Sequence, residues 1–134
     1  MIDPKKDTRA ARGGFTLIEL LVVVVVMGLL AAIALPRFRK VAEEAYKSSV
    51  IADVRNMAAK QELFHNIHLR YGTMAELDDY LESDGVTVTL SDVSNTGFAV
   101  TASHQALPGY MCAYFMGDAP APAPATLPAQ IRCQ

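Results

Sequence analysis

The chain has 134 residues with twelve Lys or Arg, fourteen Asp or Glu and a formal net charge of −2, which suits one small domain. Residues 71–134 hold seven acidic groups and a single basic one, Arg132. Because nonspecific DNA binding needs Lys and Arg near the phosphates, we expect no direct nucleic-acid binding by this acidic part.

Residues 1–14 form a short, polar and basic leader in front of an apolar run. Its charged residues are Lys5, Lys6, Arg9, Arg12, Asp3 and Asp7. A secretory signal is cleaved after its apolar region, whereas here Gly13 and Gly14 stand before it. Their missing side chains would let an extended backbone lie close in a protease groove; the alternative is a flexible hinge before a membrane helix. The basic residues favour a cytoplasmic N-terminus.

Residues 15–35 form an apolar run that only Thr16, Glu19 and Gly28 interrupt. At about 1.5 Å per residue, a helix of this length spans roughly 30 Å, the thickness of a bilayer core, so the run predicts a transmembrane helix. A carboxylate inside such a span is costly and usually has a partner and a function. No basic residue lies one helical turn from Glu19, so either its side chain reaches the interface or its partner comes from elsewhere.

The run 14–19, Gly-Phe-Thr-Leu-Ile-Glu, follows the basic leader and precedes an apolar segment that Pro36 closes. In this order the features resemble the N-terminus of type IV prepilins. The resemblance implies that a prepilin peptidase cuts between Gly14 and Phe15, that Phe15 is N-methylated, and that the mature helix packs in the core of an extracellular filament. It also implies that Glu19 pairs with the freed amino group of a neighbouring subunit. The alternative is an ordinary signal anchor whose glutamate reaches the membrane interface.

Gly28 and Pro36 are the two positions at which a kink of this helix is predicted. Proline removes one backbone hydrogen bond and clashes with the preceding turn. The prepilin resemblance implies that part of the helix loosens between such points in a filament.

Residues 37–71 continue the helix with an amphipathic pattern. One side carries Tyr46, Val50, Val54, Met57, Gln61 and Phe64 at helical spacing. Such a stripe usually faces a core, so we predict that it packs on a sheet and that the helix ends near Tyr71 and Gly72, where glycine is a natural cap. His65 and His68 share a helical face, but no third ligand has a recognisable spacing, and no metal site is predicted.

Residues 72–134 alternate turn segments with apolar ones. Thr73 and Glu76 have the spacing of a capping box and predict a short helix within 73–83. Three segments predict strands of an antiparallel meander: 86–90, 98–104 and 111–116. The predicted fold is therefore α+β, with a long N-terminal helix packed on a small antiparallel sheet of three to four strands, and it resembles that of pilins.

Cys112 and Cys133 are the two cysteines, and both lie in the part that would leave the cytoplasm. An even number of cysteines there suggests a disulfide. Between them lies a Pro-Ala run, 119–125, which we expect to be extended and exposed. The arrangement resembles the disulfide-bounded C-terminal loop of pilins, and it serves either as a contact surface or only to secure the chain end.

The chain is thus predicted to be a structural subunit of a type IV pilus, used for adhesion, motility or DNA uptake. Its expected partners are further pilin subunits, the prepilin peptidase and the inner-membrane assembly machinery, and its location changes from the bacterial inner membrane to an extracellular filament. The alternatives are a pseudopilin of a type II secretion system and a membrane-anchored binding module that never polymerises. No catalytic residue or cofactor is predicted, because no nucleophile with a base, paired acids or phosphate loop is recognisable.

Overall fold

A computed structural model describes residues 14–77 and 79–134. The chain divides into two compact units, Met1–Phe38 and Arg39–Gln134. The predictions about the basic leader concern residues 1–13 and lie outside the described residues, apart from the cleavage position at Gly14.

The first unit contains the N-terminal part of helix α1, which spans Leu17–His68 and continues through Gly28 and Pro36. Its apolar side chains are exposed within the unit; Phe15, for example, is 85% exposed. By length and composition this helix can cross a membrane, in agreement with the predicted span. A kink at Gly28 or Pro36 stays a prediction.

In the second unit, α1 packs against the sheet with the side that the hydrophobic stripe predicted. Val50, Val54, Met57 and Gln61 are fully buried, and Phe64 packs against the same cluster. Helix α1 ends at His68, about one turn earlier than the predicted end near Tyr71 and Gly72.

The connection that follows α1 contains one short 3₁₀ turn, Met74–Glu76, where a short helix was predicted. The Thr73 amide and hydroxyl both donate to Glu76 Oε2, at 2.9 and 3.0 Å. Arg70 adds hydrogen bonds of 3.1 and 2.5 Å to the two carboxylate oxygens of Glu76. Arg70 first, and then Thr73, lower the pKa of Glu76 to about 2, so this carboxylate remains charged and bonded across the physiological pH range.

Two buried polar side chains of α1 fasten this connection to the helix. Gln61 donates to the Gly72 carbonyl at 2.6 Å and accepts from the Gly72 amide at 2.8 Å. Asp53 accepts from the amide and the hydroxyl of Ser83 at 2.7 and 2.8 Å. Because buried polar groups must find partners, these bonds fix the path of the chain between α1 and the sheet.

We expect Gln61→Leu to lower the free energy of unfolding of the second unit by about 2–4 kcal/mol, because a side chain of similar size would leave both backbone groups of Gly72 unpaired. Pulse proteolysis of the full chain in urea measures this change. Asn66→Leu, an exposed position of the same helix, is the control. Equal urea midpoints for Gln61→Leu and the parent chain would contradict the role given to Gln61.

The sheet is antiparallel and has the order β1-β2-β3-β4. Its strands are β1 Val86–Ser91, β2 Phe98–His104, β3 Met111–Met116 and β4 Arg132–Cys133. The three predicted strands and the α+β fold are confirmed. The predicted number of three to four strands includes β4, but its position was not predicted, because two residues carry no readable alternation.

The disulfide links β3 to β4. Cys112 and Cys133 are register partners, joined by a disulfide with their Cα atoms 4.0 Å apart. The bridge therefore holds a strand that is too short to be stable through its own hydrogen bonds.

The Pro-Ala run differs from its prediction. Ala119 and Ala125 are buried together with Ala99, Ala113 and Phe115 in a second, smaller core. The loop thus covers one face of the sheet with methyl groups, and the prediction of an exposed run is wrong at these two alanines. The physical reason is that β2 and β3 place further apolar side chains on the face opposite α1, and those need cover.

Replacing both Cys112 and Cys133 with serine should cost roughly 3 kcal/mol of unfolding free energy on the chain-entropy model. We expect β4 to detach and the loop 117–131 to be cleaved faster in limited proteolysis, while membrane insertion is unchanged. The parent chain treated with a reductant is the matched comparison. Unchanged cleavage in both samples would show that the bridge does not secure the loop.

Candidate assembly site

The resemblance singled out Gly14, Phe15 and Glu19, and the structure shows how the start of α1 arranges them. Thr16 precedes the first helical residue. Its carbonyl accepts from the Leu20 amide at 3.3 Å, as expected of an N-cap. The Thr16 hydroxyl accepts from the Glu19 amide at 3.3 Å, and the Thr16 amide donates to Glu19 Oε2 at 2.9 Å. These reciprocal bonds are a capping box.

Glu19 therefore has a local function that the sequence reading missed. The same Thr-x-x-Glu spacing predicts the capping box at Thr73. At Thr16 it lies in an apolar run, where a carboxylate first indicates a charge inside a membrane. A third contact, from the Thr16 hydroxyl to Glu19 Oε2, measures 2.7 Å. The carboxylate also lies at the helix N-terminus, where the helix dipole favours negative charge.

The two oxygens of the Glu19 carboxylate differ in their surroundings. Oε2 accepts both bonds from Thr16, whereas Oε1 has no hydrogen-bond partner among residues 14–77 and 79–134. One oxygen is thus held by the chain itself, and the other remains open to a donor from outside. A fixed orientation of this kind favours a specific ionic contact.

Apolar side chains surround the carboxylate on the helix surface. Phe15, Ile18, Val22 and Val23 line a shallow groove of about 420 Å³ together with Glu19. Phe15 and Glu19, the two residues that the resemblance assigns to assembly, therefore lie on the same face. A cation brought to Glu19 here would be surrounded by hydrocarbon once a membrane or further helices covered the groove, and charges attract strongly in such surroundings.

Gly14 lies just before this site, outside α1. A Cβ built at Gly14 would meet no heavy atom of residues 14–77 and 79–134 within 4 Å, and the same holds for Gly28. Neither glycine is thus required by packing among the described residues. If Gly14 is needed, the need comes from an outside partner.

The three histidines are occupied by aromatic contacts. His65 stacks on Tyr71 and His68 on Phe64, and His104 stacks on Tyr46 with a ring separation of 4.3 Å. Each of the three imidazole rings therefore has a packing role in the second unit.

Comparisons with known proteins agree with the N-terminal pattern. Residues 9–35 match the family model described as the prokaryotic N-terminal methylation motif. The chain is 39% identical over 62 residues to the type IV major pilin protein PilA of Myxococcus xanthus, covering 46% of this chain and 28% of that protein. It is 35% identical over 81 residues to fimbrial protein Q of Moraxella bovis, covering 59% of this chain and 50% of that protein.

A further relative is a secretion protein. Type II secretion system core protein G of Klebsiella michiganensis is 31% identical over 65 residues, which cover 48% of this chain and 46% of that protein. The chain thus spans half or less of the length of these relatives. The chain is therefore similar to type IV pilins and prepilins in its methylation motif, in its relatives and in its single long helix on a four-stranded antiparallel sheet.

Proposed function

We propose that this chain is a structural subunit of a type IV pilus. A prepilin peptidase removes the leader between Gly14 and Phe15, Phe15 is N-methylated, and the mature chain polymerises through α1 into an extracellular filament. The observation that carries the proposal is the half-occupied carboxylate of Glu19 on an exposed apolar helix. The family is one of structural proteins, and no enzymatic step is assigned to this chain.

The N-terminal part of α1 needs an apolar environment. Its apolar side chains are exposed throughout the first unit, so water is an unfavourable environment and lipid or other apolar helices are favourable ones. Cleavage before Phe15 creates an ammonium group, and Glu19 offers the open oxygen that such a group needs. Two charges of opposite sign in a low-dielectric filament core stabilise the contact only when they meet, so the pair would fix the register between subunits.

In this proposal the chain has two successive locations. The precursor and the processed subunit span the bacterial inner membrane, where the peptidase and the assembly machinery act on them. The assembled subunit lies in the filament outside the cell, with residues 39–134 on its surface. Adhesion, motility and DNA uptake are the tasks that such a filament serves.

A pseudopilin of a type II secretion system is the second candidate, and a specific observation favours it: the relative named core protein G matches a similar share of this chain as the pilins do. Deleting the gene distinguishes the two. Loss of surface fibres with normal secretion supports the pilus subunit, whereas loss of secreted enzymes without loss of fibres supports the pseudopilin.

Intact mass and N-terminal sequencing of protein sheared from the cell surface test the proposal directly. The expected chain starts at methylated Phe15 and is lighter by the hydrogens lost in forming the Cys112–Cys133 bridge. A chain that starts at Met1 and occurs only in membranes would overturn the proposal and favour an anchored binding module.

A further inference from the structure

The two edges of the sheet in the second unit carry opposite charges. Strand β1 forms one edge, and three exposed acidic residues lie beside it: Glu82, Asp84 and Asp92. Glu82 accepts a hydrogen bond of 2.7 Å from the Val88 amide. This amide is free to bond there because it takes no part in the pairing of β1 with β2. Asp84 and Asp92 flank the two ends of the strand and form no ion pair with another described residue.

The opposite edge is basic. Arg132 lies in β4, and Arg55 of α1 lines a groove of about 540 Å³ together with it. Tyr114 and Gln130 add a hydroxyl and an amide to the same groove. Both arginines are exposed, and within the described part of the chain neither forms an ion pair.

Glu62, whose charge acts on Tyr114 of this groove, already accepts a hydrogen bond elsewhere. Glu62 accepts from the Tyr71 hydroxyl at 3.3 Å and is not among the residues that line the groove. Burial first, and the charge of Glu62 second, raise the pKa of Tyr114, so its hydroxyl stays protonated and able to donate. The groove therefore presents donors and positive charge to whatever occupies it.

We propose that the acidic β1 edge of one copy of this chain docks on the Arg55–Arg132 groove of the next copy. This contact rests on the proposed polymerisation and adds a second, surface interface to the one at the N-terminal helix. The opposite charges of the two edges decide whether the contact is symmetric or head-to-tail. A contact between two identical edges would oppose like charges, whereas a head-to-tail contact joins opposite ones. A head-to-tail contact that does not close on itself generates an open helical filament.

The test compares four full-length chains. Asp84→Lys with Asp92→Lys reverses the acidic edge, and Arg55→Glu with Arg132→Glu reverses the basic edge. The third chain combines all four substitutions and restores both opposite charge and the parent net charge. The parent is the fourth. Each also carries Thr89→Cys on β1 and Ala129→Cys at the groove, where the replaced side chain is only a methyl group. A bismaleimide added to intact cells cross-links neighbouring copies. The native cysteines are joined and do not react.

On a denaturing gel, we expect the parent to give a ladder of cross-linked dimers, trimers and longer products. Every copy offers both edges, so each can cross-link to two neighbours. Either reversal alone should reduce the ladder roughly tenfold or more, because like charges then face each other. The combined chain should recover it. The combined chain contains every substitution, so its recovery also excludes loss of folding as the cause.

Several results would overturn the proposed contact. These are a ladder that survives the acidic reversal and the basic reversal alike, no recovery in the combined chain, and dimers formed by a chain with Thr89→Cys or Ala129→Cys alone. Loss after arginine reversal but not after aspartate reversal would assign the groove to a different anionic partner. Surface fibres are counted separately. Fibres without a ladder would overturn this contact and support the proposed function. A ladder without fibres would support this contact and overturn the proposed function.

Discussion

Glu19→Gln should abolish filament assembly although it preserves the start of the helix. A glutamine at this position of a capping box accepts the same hydrogen bonds from Thr16, but it carries no charge to pair with the amino group of a neighbouring Phe15. Removing one partner of a buried ion pair weakens a contact by roughly a hundredfold or more, and the loss recurs at every subunit. Membrane insertion should be unchanged or improved, because the costly charge is gone.

Fibre counts by electron microscopy and the amount of sheared protein measure this effect. Glu19→Ala removes the charge and the cap together, and Thr16→Val weakens the cap alone. If the charge matters most, glutamine and alanine both fail and Thr16→Val still assembles. Normal fibres from Glu19→Gln would contradict the ionic role and leave Glu19 as a helix cap only.

Gly14→Leu should leave the precursor unprocessed in the membrane. Among the described residues, no heavy atom lies within 4 Å of the position that a Cβ would take at Gly14, so the substitution should not disturb this part of the chain. A protease groove that receives extended backbone has no such room. We expect at least a tenfold fall in mature chain, because a side chain that clashes in a fitted site costs more than about 1.4 kcal/mol.

The intact mass of the membrane-bound chain separates precursor from product. Gly28→Ala is the matched control. A Cβ there also meets no heavy atom of the described residues within 4 Å, and Gly28 lies beyond the cleavage position. Processing of Gly14→Leu at the parent rate would contradict the cleavage site. Failure of both variants would point instead to a general defect in insertion.

The strands and the helix were predicted because their signals are local. The strict alternation in 86–90 and the buried stripe of Val50, Val54 and Met57 each need only the period of one element. For the same reason, the apolar run behind Glu19 indicated a membrane span without any knowledge of the fold. The capping box at Thr16 also has a local signal, the spacing Thr-x-x-Glu, and could have been predicted from the sequence.

Other features depend on contacts between distant segments. Nothing around Asp53 marks it as buried, since its partner Ser83 lies thirty positions along the chain. The two residues of β4 become a strand only beside β3, where the Cys112–Cys133 bridge holds them. Ala119 and Ala125 belong to a run that favours an extended, exposed chain, yet they are buried because the sheet has a second apolar face.

The sequence by itself determined which N-terminal segment of this protein can cross a membrane and which carboxylate interrupts it. These features are encoded in the order of neighbouring residues, so no tertiary contact is needed to see them. Only the tertiary structure decided which edge of the sheet is acidic and which is basic. Arg55 and Arg132 are far apart in the chain and line one groove because α1 packs on the sheet beside β4, and that neighbourhood exists only after folding.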